Sequence, residues 1–298
     1  MTERLEDIEE ITENYFKAGR ILSQVRSEAK DRIKVGASLL EVAEFVENRT
    51  LELGADGCAF PCNISRNDEA AHATPLLGDD DVFAEDVVKL DLGVHVGGYI
   101  ADSALTVDLS GNYADLLKAS EDALYAAIDT VANGVNTGDI GAVIEDTINS
   151  HGFKPVGNLT GHGLGQYLPH VPPSIPNRKG MGGAILQTGD VIAIEPFATD
   201  GVGKVVDGTL TEIFQLVDVK PVRLPAARKL LKELKPYSTL PFAKRWLKAE
   251  KLDFALMQLL KSGIVHSYPV LKEVSGGMVS QAEHTVIVTD DGCDVTTK

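Results

Sequence analysis

The stretch that most constrains this 298-residue chain is Lys89–Leu109, KLDLGVHVGGYIADSALTVDL. Two apolar runs flank a Gly97-Gly98 pair, the pattern of a β-hairpin whose loop needs backbone angles that glycine adopts at little cost. With His95-Val96-Gly97-Gly98 as the loop, Val94 faces Tyr99, and stepping back along the strands sets Asp91 opposite Asp102. Directly opposed residues share a face of the sheet, with Cβ atoms about 4.5–5.5 Å apart. Leu90, Leu92, Ile100 and Ala104 give the pair a largely buried setting. Two carboxylates held so close repel, and a shared proton or a divalent cation would relieve them. A bulged or shifted register that leaves one Asp in water is the alternative reading of the hairpin taken alone.

Three further segments carry residues of the same chemistry. Thr160-Gly161-His162-Gly163 sets a His among glycines, where the backbone can present the ring to a site. Ile192-Ala193-Ile194-Glu195-Pro196-Phe197 ends an apolar strand on a lone Glu, and Gln281-Ala282-Glu283-His284 opens another, Thr285–Val288, on a second. An unpaired charge in such a setting is costly. Each residue alone is more readily structural than functional. Together, Asp91, Asp102, His162, Glu195 and Glu283 offer one nitrogen and eight carboxylate oxygens, a set suited to two first-row divalent ions bridged by carboxylates.

The rest of the chain supplies a mixed frame. Leu5, Ile8, Ile11, Tyr15, Ala18, Ile21, Leu22 and Val25 predict an amphipathic helix within 5–34. Ser38 caps a second over 39–53, and helices follow at 113–133 and 139–150. Strand-like runs fall at 87–94, 99–109, 191–197, 204–207, 211–219 and 284–289. This pattern predicts an α+β fold with an antiparallel-rich sheet. Residues 220–261 stand apart, with eleven Lys and Arg against three acids and leucines at helical spacing, so a compact helical insert is expected over 220–262.

Charge and cysteines bound the compartment and the partners. The chain carries 28 Lys+Arg and 44 Asp+Glu, a net charge of −16. That excludes a general nucleic-acid binder or a docker on anionic lipid, except through the insert, whose own net charge is +8. Three cysteines, Cys58, Cys62 and Cys293, do not make a disulfide scaffold. No leader-like or membrane-spanning run is present in the sequence, so a cytoplasmic protein is expected.

The motifs resemble one family closely. AFPCNISRNDEAAHATP (59–75), KLDLGVHVGGYIADSALTV (89–107), NLTGH (158–162), SIPN (174–177), GDVIAIEPFAT (189–199) and SQAEHTVIV (280–288) are similar to the signature segments of the pita-bread metallopeptidases, and within them of the type II methionine aminopeptidases. The likeness spans essentially the whole chain as one catalytic domain, 1–298. The basic helical insert is what separates type II from type I, and the short form without a eukaryotic-style extension looks archaeal. The resemblance implies removal of the initiator methionine from nascent proteins with a small second residue, through attack by a water bridging two divalent ions. Their identity, Co, Mn, Fe or Zn, is left open.

By the same resemblance, Asp91 holds one metal, Asp102 and Glu283 bridge both, and His162 and Glu195 complete the second, with Glu195 also moving the proton. His72 matches a catalytic His that hydrogen-bonds near the scissile amide, and His170 one that polarises the substrate carbonyl. Phe60, Phe197 and Tyr268 fall where the family places the walls of the methionine pocket, with Cys62 near them. His284 is expected to orient Glu283 from behind, while His95 in the hairpin loop, His151 and His266 in a connector are assigned no role. Pro169-His170-Val171-Pro172-Pro173 departs from the family pattern and implies an altered loop around His170. Two other readings stand: a prolidase-like dipeptidase of the same fold, and a non-catalytic ribosome- or RNA-associated module. The expected partners are Met-initiated peptides and a ribosome contact through 220–261, with no membrane or specific DNA, in a monomer.

Overall fold

The computed structural model describes residues 2–298, with side chains from Glu9 onward, so Leu5 and Ile8 of the predicted apolar stripe lie outside the described side chains. The first helix, Thr2–Lys30, buries Tyr15, Ala18, Ile21, Leu22 and Val25. It stops four residues short of the predicted end, where the chain turns toward Gly36 at φ +84°. Ser38 caps the second helix, Leu39–Glu52, its Oγ accepting from the Glu41 N–H at 3.3 Å. Both helices pack on an antiparallel sheet of Gly57–Arg66, Val87–Val96 and Tyr99–Asp108.

A second helix pair, Ala114–Ile128 and Thr137–Ser150, repeats this arrangement on another sheet. Asn136 Oδ1 caps the latter by accepting from the Gly138 N–H at 2.8 Å. The five strands run in the order Cys293–Val295, His284–Val288, Val191–Ile194, Thr160–Gly165, Leu168–Pro176. Every strand pairing is antiparallel, as the α+β expectation requires. Ile140, Ile144 and Ile148 at helical spacing meet Ile192, Ile194 and Val286 at strand spacing, which closes this half of the core.

The central hairpin differs from its sequence reading in register. The loop is Gly97-Gly98 alone, at φ +60° and +84°, so Val96 pairs with Tyr99, and His95 belongs to the strand rather than to the loop. Two-residue loops with both central residues at positive φ match the twist of the strands they join, which is why the glycine pair alone forms the loop. Asp91 therefore pairs with Ala104 and Asp102 with Gly93. A shift of two residues keeps every side chain on its face, so the two carboxylates remain neighbours, diagonal instead of opposed.

The runs 204–207 and 211–219 prove to be one strand, Val205–Leu216, with irregular register around Asp207–Ile213. It pairs with Pro241–Ala243 and with Val265–Glu273, and the latter pairs with Glu69–Ala71. Helices Pro225–Leu234 and Leu252–Lys261 bury Leu230, Leu234, Leu256 and Leu259 against Phe214 and Phe242 at one end of this sheet. The predicted run 191–197 is broken after Ile194, where Glu195-Pro196 interrupts the ladder before Phe197–Thr199. Pro cannot donate to a ladder, and the break turns Glu195 off the sheet edge.

Candidate metal centre and substrate pocket

The two halves are stitched together where the carboxylates lie. Thr285 Oγ1 donates to the Asp102 carbonyl and accepts from the Asp102 N–H, both at 2.8 Å. The Glu283 N–H donates to the Ala104 carbonyl at 3.0 Å, and Ser103 Oγ donates to the Glu283 carbonyl at 2.6 Å. The hairpin is thereby docked on the His284–Val288 strand, and Asp102 and Glu283 meet at the junction. His162 pairs with Ala193 and His284 with Ile194 in the neighbouring ladder, which brings His162, Glu195 and Glu283 to one end of three adjacent strands.

One ligand atom each from Asp102, His162 and Glu283 lies within 4.8 Å of the others. His162 Nε2 stands 3.5 Å from Glu195 Oε1 and 3.9 Å from Asp102 Oδ2. Such a separation is too long for a hydrogen bond. Two donors each about 2.1 Å from one ion stand about 3.4 Å apart at a tetrahedral angle. Asp91 Oδ1 and Asp102 Oδ1 are buried without a partner. Among the described residues, no Lys or Arg makes an ion pair with any of the four carboxylates. Buried acceptors lacking donors fit a divalent-cation site by the chemistry of the set.

The electrostatics agree. Burial pushes the Asp91 carboxyl up to about 7. Burial, with Asp91 and Glu195 beside it, holds Asp102 well above its ordinary value; burial and Asp91 do the same to Glu195. Burial and Asp102 act likewise on Glu283. Burial, and then His170, lowers His162 to about 3, so its ring is neutral at pH 7. Its Nδ1 faces the Gly163 carbonyl at 3.2 Å, which can only accept, so Nδ1 carries the proton and Nε2 offers a lone pair.

The five ligand-type residues and the five assigned to catalysis or the pocket wall line one cavity of about 240 Å³. Next to the five ligand-type residues stand His72, His170, Phe60, Phe197 and Tyr268. His72 sits at φ +65°, its Nδ1 3.3 Å from the Pro269 carbonyl, and burial lowers its pKa to about 4. The rings of His162 and His170 lie 4.2 Å apart, and Tyr268 stands beside both His72 and His170. Tyr268 Oη donates to Gln215 Oε1 at 2.6 Å. The proline-rich departure is taken up as an irregularity between the pairs His162/Ser174 and Gly163/Val171, and His170 still reaches the cavity.

Three expectations are corrected. His284 does not support Glu283: consecutive strand residues point to opposite faces, and its Nδ1 meets Thr297 Oγ1 at 2.8 Å instead. Cys62 is buried in the core under the first helix pair and does not line the cavity. His266 is on strand Val265–Glu273 rather than in a connector, edge-on to Tyr268. The sequence reading missed Gln281, whose Nε2 donates to Asp91 Oδ2 at 3.2 Å and to Glu283 Oε2 at 3.3 Å. Its signal was there: two residues before Glu283 on an extended chain is the same face. Leu159, Ile213 and Pro241, which add apolar wall, carried no signal at all.

Residues 13–290 match the model of metallopeptidase family M24. The methionine aminopeptidase of Archaeoglobus fulgidus is 54% identical over 97% of this chain and 99% of its own length, and further archaeal methionine aminopeptidases are 42–52% identical. Among solved structures, a thermophilic Arx1 superposes with TM-score 0.83 at 18% identity, covering 96% of this chain and 90% of that one. The Thermotoga maritima methionine aminopeptidase does so with TM-score 0.71 at 23% identity, covering 96% of each chain. These structures share the pita-bread fold, and the sequence relatives add the branch. A buried four-carboxylate, one-histidine pocket on that fold, in a chain of such similarity, identifies a member of metallopeptidase family M24 and, within it, of the methionine aminopeptidases.

Proposed function

We propose that this chain removes the N-terminal methionine from polypeptides whose second residue is small, using two divalent ions drawn from Co, Mn, Fe or Zn. The observation that carries this reading is a cavity in which buried carboxylates with unpartnered oxygens adjoin an apolar wall. Asp91 would hold one ion, Asp102 and Glu283 both, and His162 with Glu195 the other. Bound there, the ions supply Lewis-acid polarisation of a water and of the scissile carbonyl.

The protein's own groups do the rest. Burial raises the proton affinity of Glu195, which suits it to take a proton from the attacking water and return it to the leaving amine. His72 is neutral, and with Nδ1 toward the Pro269 carbonyl its Nε2 is an acceptor for the N–H of the scissile amide. Burial lowers the pKa of His170, so a neutral ring N–H is available to the substrate carbonyl. Phe60, Phe197 and Tyr268, with Leu159 and Ile213, offer an apolar slot for one unbranched side chain.

The test compares cleavage of Met-Ala-Ser with that of an Xaa-Pro dipeptide by the metal-reconstituted protein. Preference for the dipeptide would favour the prolidase-like reading. Asp102→Ala and Glu283→Ala should each abolish metal binding and cleavage, and full activity in either would sink the two-metal account.

We read 1–298 as one catalytic domain carrying 220–262 as an insert, supported by the insert's separate apolar cluster. The enzyme is read as a cytoplasmic monomer; no helix among the described residues is long and apolar enough to cross a membrane. A ribosome contact is assigned to the basic face of the insert. Its support is narrower than the charge count, because Arg245 is buried against Glu47 and Lys244 is paired with Asp253. Arg228, Lys229, Lys232 and Lys235 remain exposed. Reversing those four charges should weaken salt-dependent co-sedimentation with ribosomes, and unchanged binding would refute the contact.

A further inference from the structure

Gln281 occupies a place in the centre that its residue type does not announce. It ends strand Val279–Gln281, paired with Phe197 two residues after Glu195. Its backbone is pinned to the hairpin by one hydroxyl: Thr106 Oγ1 accepts from the Gln281 N–H at 2.8 Å and donates to the Gln281 carbonyl at 2.7 Å. The side chain is buried at 1% exposure, so its position is set by the sheet and not by solvent.

From there the amide nitrogen reaches Asp91 Oδ2 at 3.2 Å and Glu283 Oε2 at 3.3 Å. The two acids come from different halves of the fold, and Gln281 is the group that spans them. The amide is oriented by its surroundings: in the ionised form that binds metal both neighbours accept only, so the NH₂ with its two hydrogens faces them and Oε1 is turned away, buried without a partner. A buried acceptor without a donor costs stability, so this placement is not explained by the stability of the metal-free fold.

The chemistry of the alternatives explains it. A Lys or Arg between Asp91 and Glu283 would neutralise them permanently and compete with any dication. A Glu would add a fifth negative charge to four that already repel. A neutral double donor holds one oxygen of each carboxylate in place, eases their mutual repulsion, and leaves four negative charges to meet two dications. Ala, Val or Leu would leave the two carboxylates to swing or protonate.

We propose that Gln281 is a positioning residue of the metal centre, its amide bridging Asp91 and Glu283 so that they present a preformed pair of oxygens to divalent cations. This rests on the reading of the pocket as a two-metal centre. Loss of the bridge is therefore felt in metal affinity, by about 10–100-fold, the range for partners that orient ligands from behind.

The test is calorimetric titration of Mn²⁺ into metal-free wild type, Gln281→Met, Gln281→Asn and Asp102→Ala, with the thermal midpoint of each metal-free protein recorded alongside. Gln281→Met keeps length and removes both donors; Gln281→Asn keeps the amide but withdraws it by one methylene. Both should bind Mn²⁺ about 10–100-fold more weakly. Metal-free Gln281→Met should melt at or above the wild-type temperature, because the unpartnered Oε1 is gone. Raising Mn²⁺ should restore cleavage of Met-Ala-Ser to the wild-type kcat, which a merely misfolded variant would not do. Wild-type Mn²⁺ affinity in both Gln281 variants, with Asp102→Ala unable to bind, would overturn the role of Gln281 alone. Mn²⁺ binding by Asp102→Ala at wild-type affinity would overturn the metal centre itself.

Discussion

His162 and His170 stand with ring centroids 4.2 Å apart and planes at 61°, one on strand Thr160–Gly165 and the other on its neighbour Leu168–Pro176. Two imidazoles this close disfavour a positive charge, and both are held below their ordinary pKa, His162 by burial and then by His170, and His170 by desolvation. Nδ1 of His162 is committed to the Gly163 carbonyl, so its Nε2 is aimed at Asp102 and Glu195. The two rings should therefore separate by role. His162→Ala is expected to cut Mn²⁺ affinity by more than about 10-fold. His170→Ala should leave that affinity within about threefold while lowering kcat by about 10²-fold, the scale for losing one donor to a developing oxyanion. Mn²⁺ titration and Met-Ala-Ser cleavage at saturating metal measure both, and equal losses of affinity would contradict the division.

Metal removal should matter more as pH rises. Burial raises the folded-state pKa of Asp91 to about 7 and those of Asp102, Glu195 and Glu283 above their ordinary values. For a group raised on folding, the favourable contribution is present at low pH and is lost as pH climbs through the folded value. The metal-free protein should thus weaken from about pH 5 to pH 8, where cations take over from protons. Below the folded pKa, each displaced proton costs affinity about tenfold per pH unit. The gap in melting temperature between Mn²⁺-loaded and EDTA-treated protein should be wider at pH 8 than at pH 5.5. A constant gap would mean that the metal-free carboxylates are already ionised at the lower pH.

The hairpin explains how much of this was legible. Gly97-Gly98 between two apolar runs dictated a turn, and period-two alternation carried Asp91 and Asp102 to one face even though the register was two residues out. Glu195 was legible as a lone charge in an apolar run, and His162 because glycines surround it. Gln281 was overlooked: its two-residue spacing from Glu283 put it on the same face, but a polar residue there declares a role only once its partners, Asp91 and Glu283, are known. The strands Gly57–Arg66 and Val265–Glu273 were also hidden. Each carries a proline, Pro61 and Pro269, at or beside an irregular register, which blurs alternation. Their pairing partners are supplied by remote parts of the chain, and that information is tertiary.

Glu273 fastens two turns. Its carboxylate accepts from the N–H groups of Val202, Gly203, Ser275 and Gly277 at 2.7–3.2 Å, and from Ser275 Oγ at 2.7 Å. Burial by itself would raise its pKa, but the hydrogen bonds, led by Ser275, outweigh that and bring it from 4.5 down to about 2. A depressed carboxylate stabilises the fold above its unfolded pKa, and the contribution is lost as pH falls from about 4.5 toward 2. Glu273→Gln should therefore cost about 2–3 kcal/mol at pH 7, with the difference from wild type shrinking below pH 4. Urea unfolding at both pH values checks it; an undiminished difference at low pH would mean that packing, not charge, is what the substitution removes.

Gly93 tests the coupling between metal centre and methionine slot. It pairs with Asp102 on one side and with Phe60 on the other, and a Cβ there would stand 2.3 Å from Phe60 Cε1. The ring of Phe60 must move to admit even a methyl group, and Phe60 is a wall of the cavity. Asp102 is insulated from that shift, because Thr285 Oγ1 clamps both its backbone N–H and its carbonyl. Gly93→Ala should consequently cost about 1–3 kcal/mol of stability by overpacking. It should raise KM for Met-Ala-Ser severalfold while leaving Mn²⁺ affinity near wild type. Combining it with Phe60→Ala removes the clash, so the two stability losses should fall short of additivity by about 1 kcal/mol. If the losses simply add, the strain lies in the strand backbone and not in the Phe60 ring, and KM should then be insensitive to Gly93.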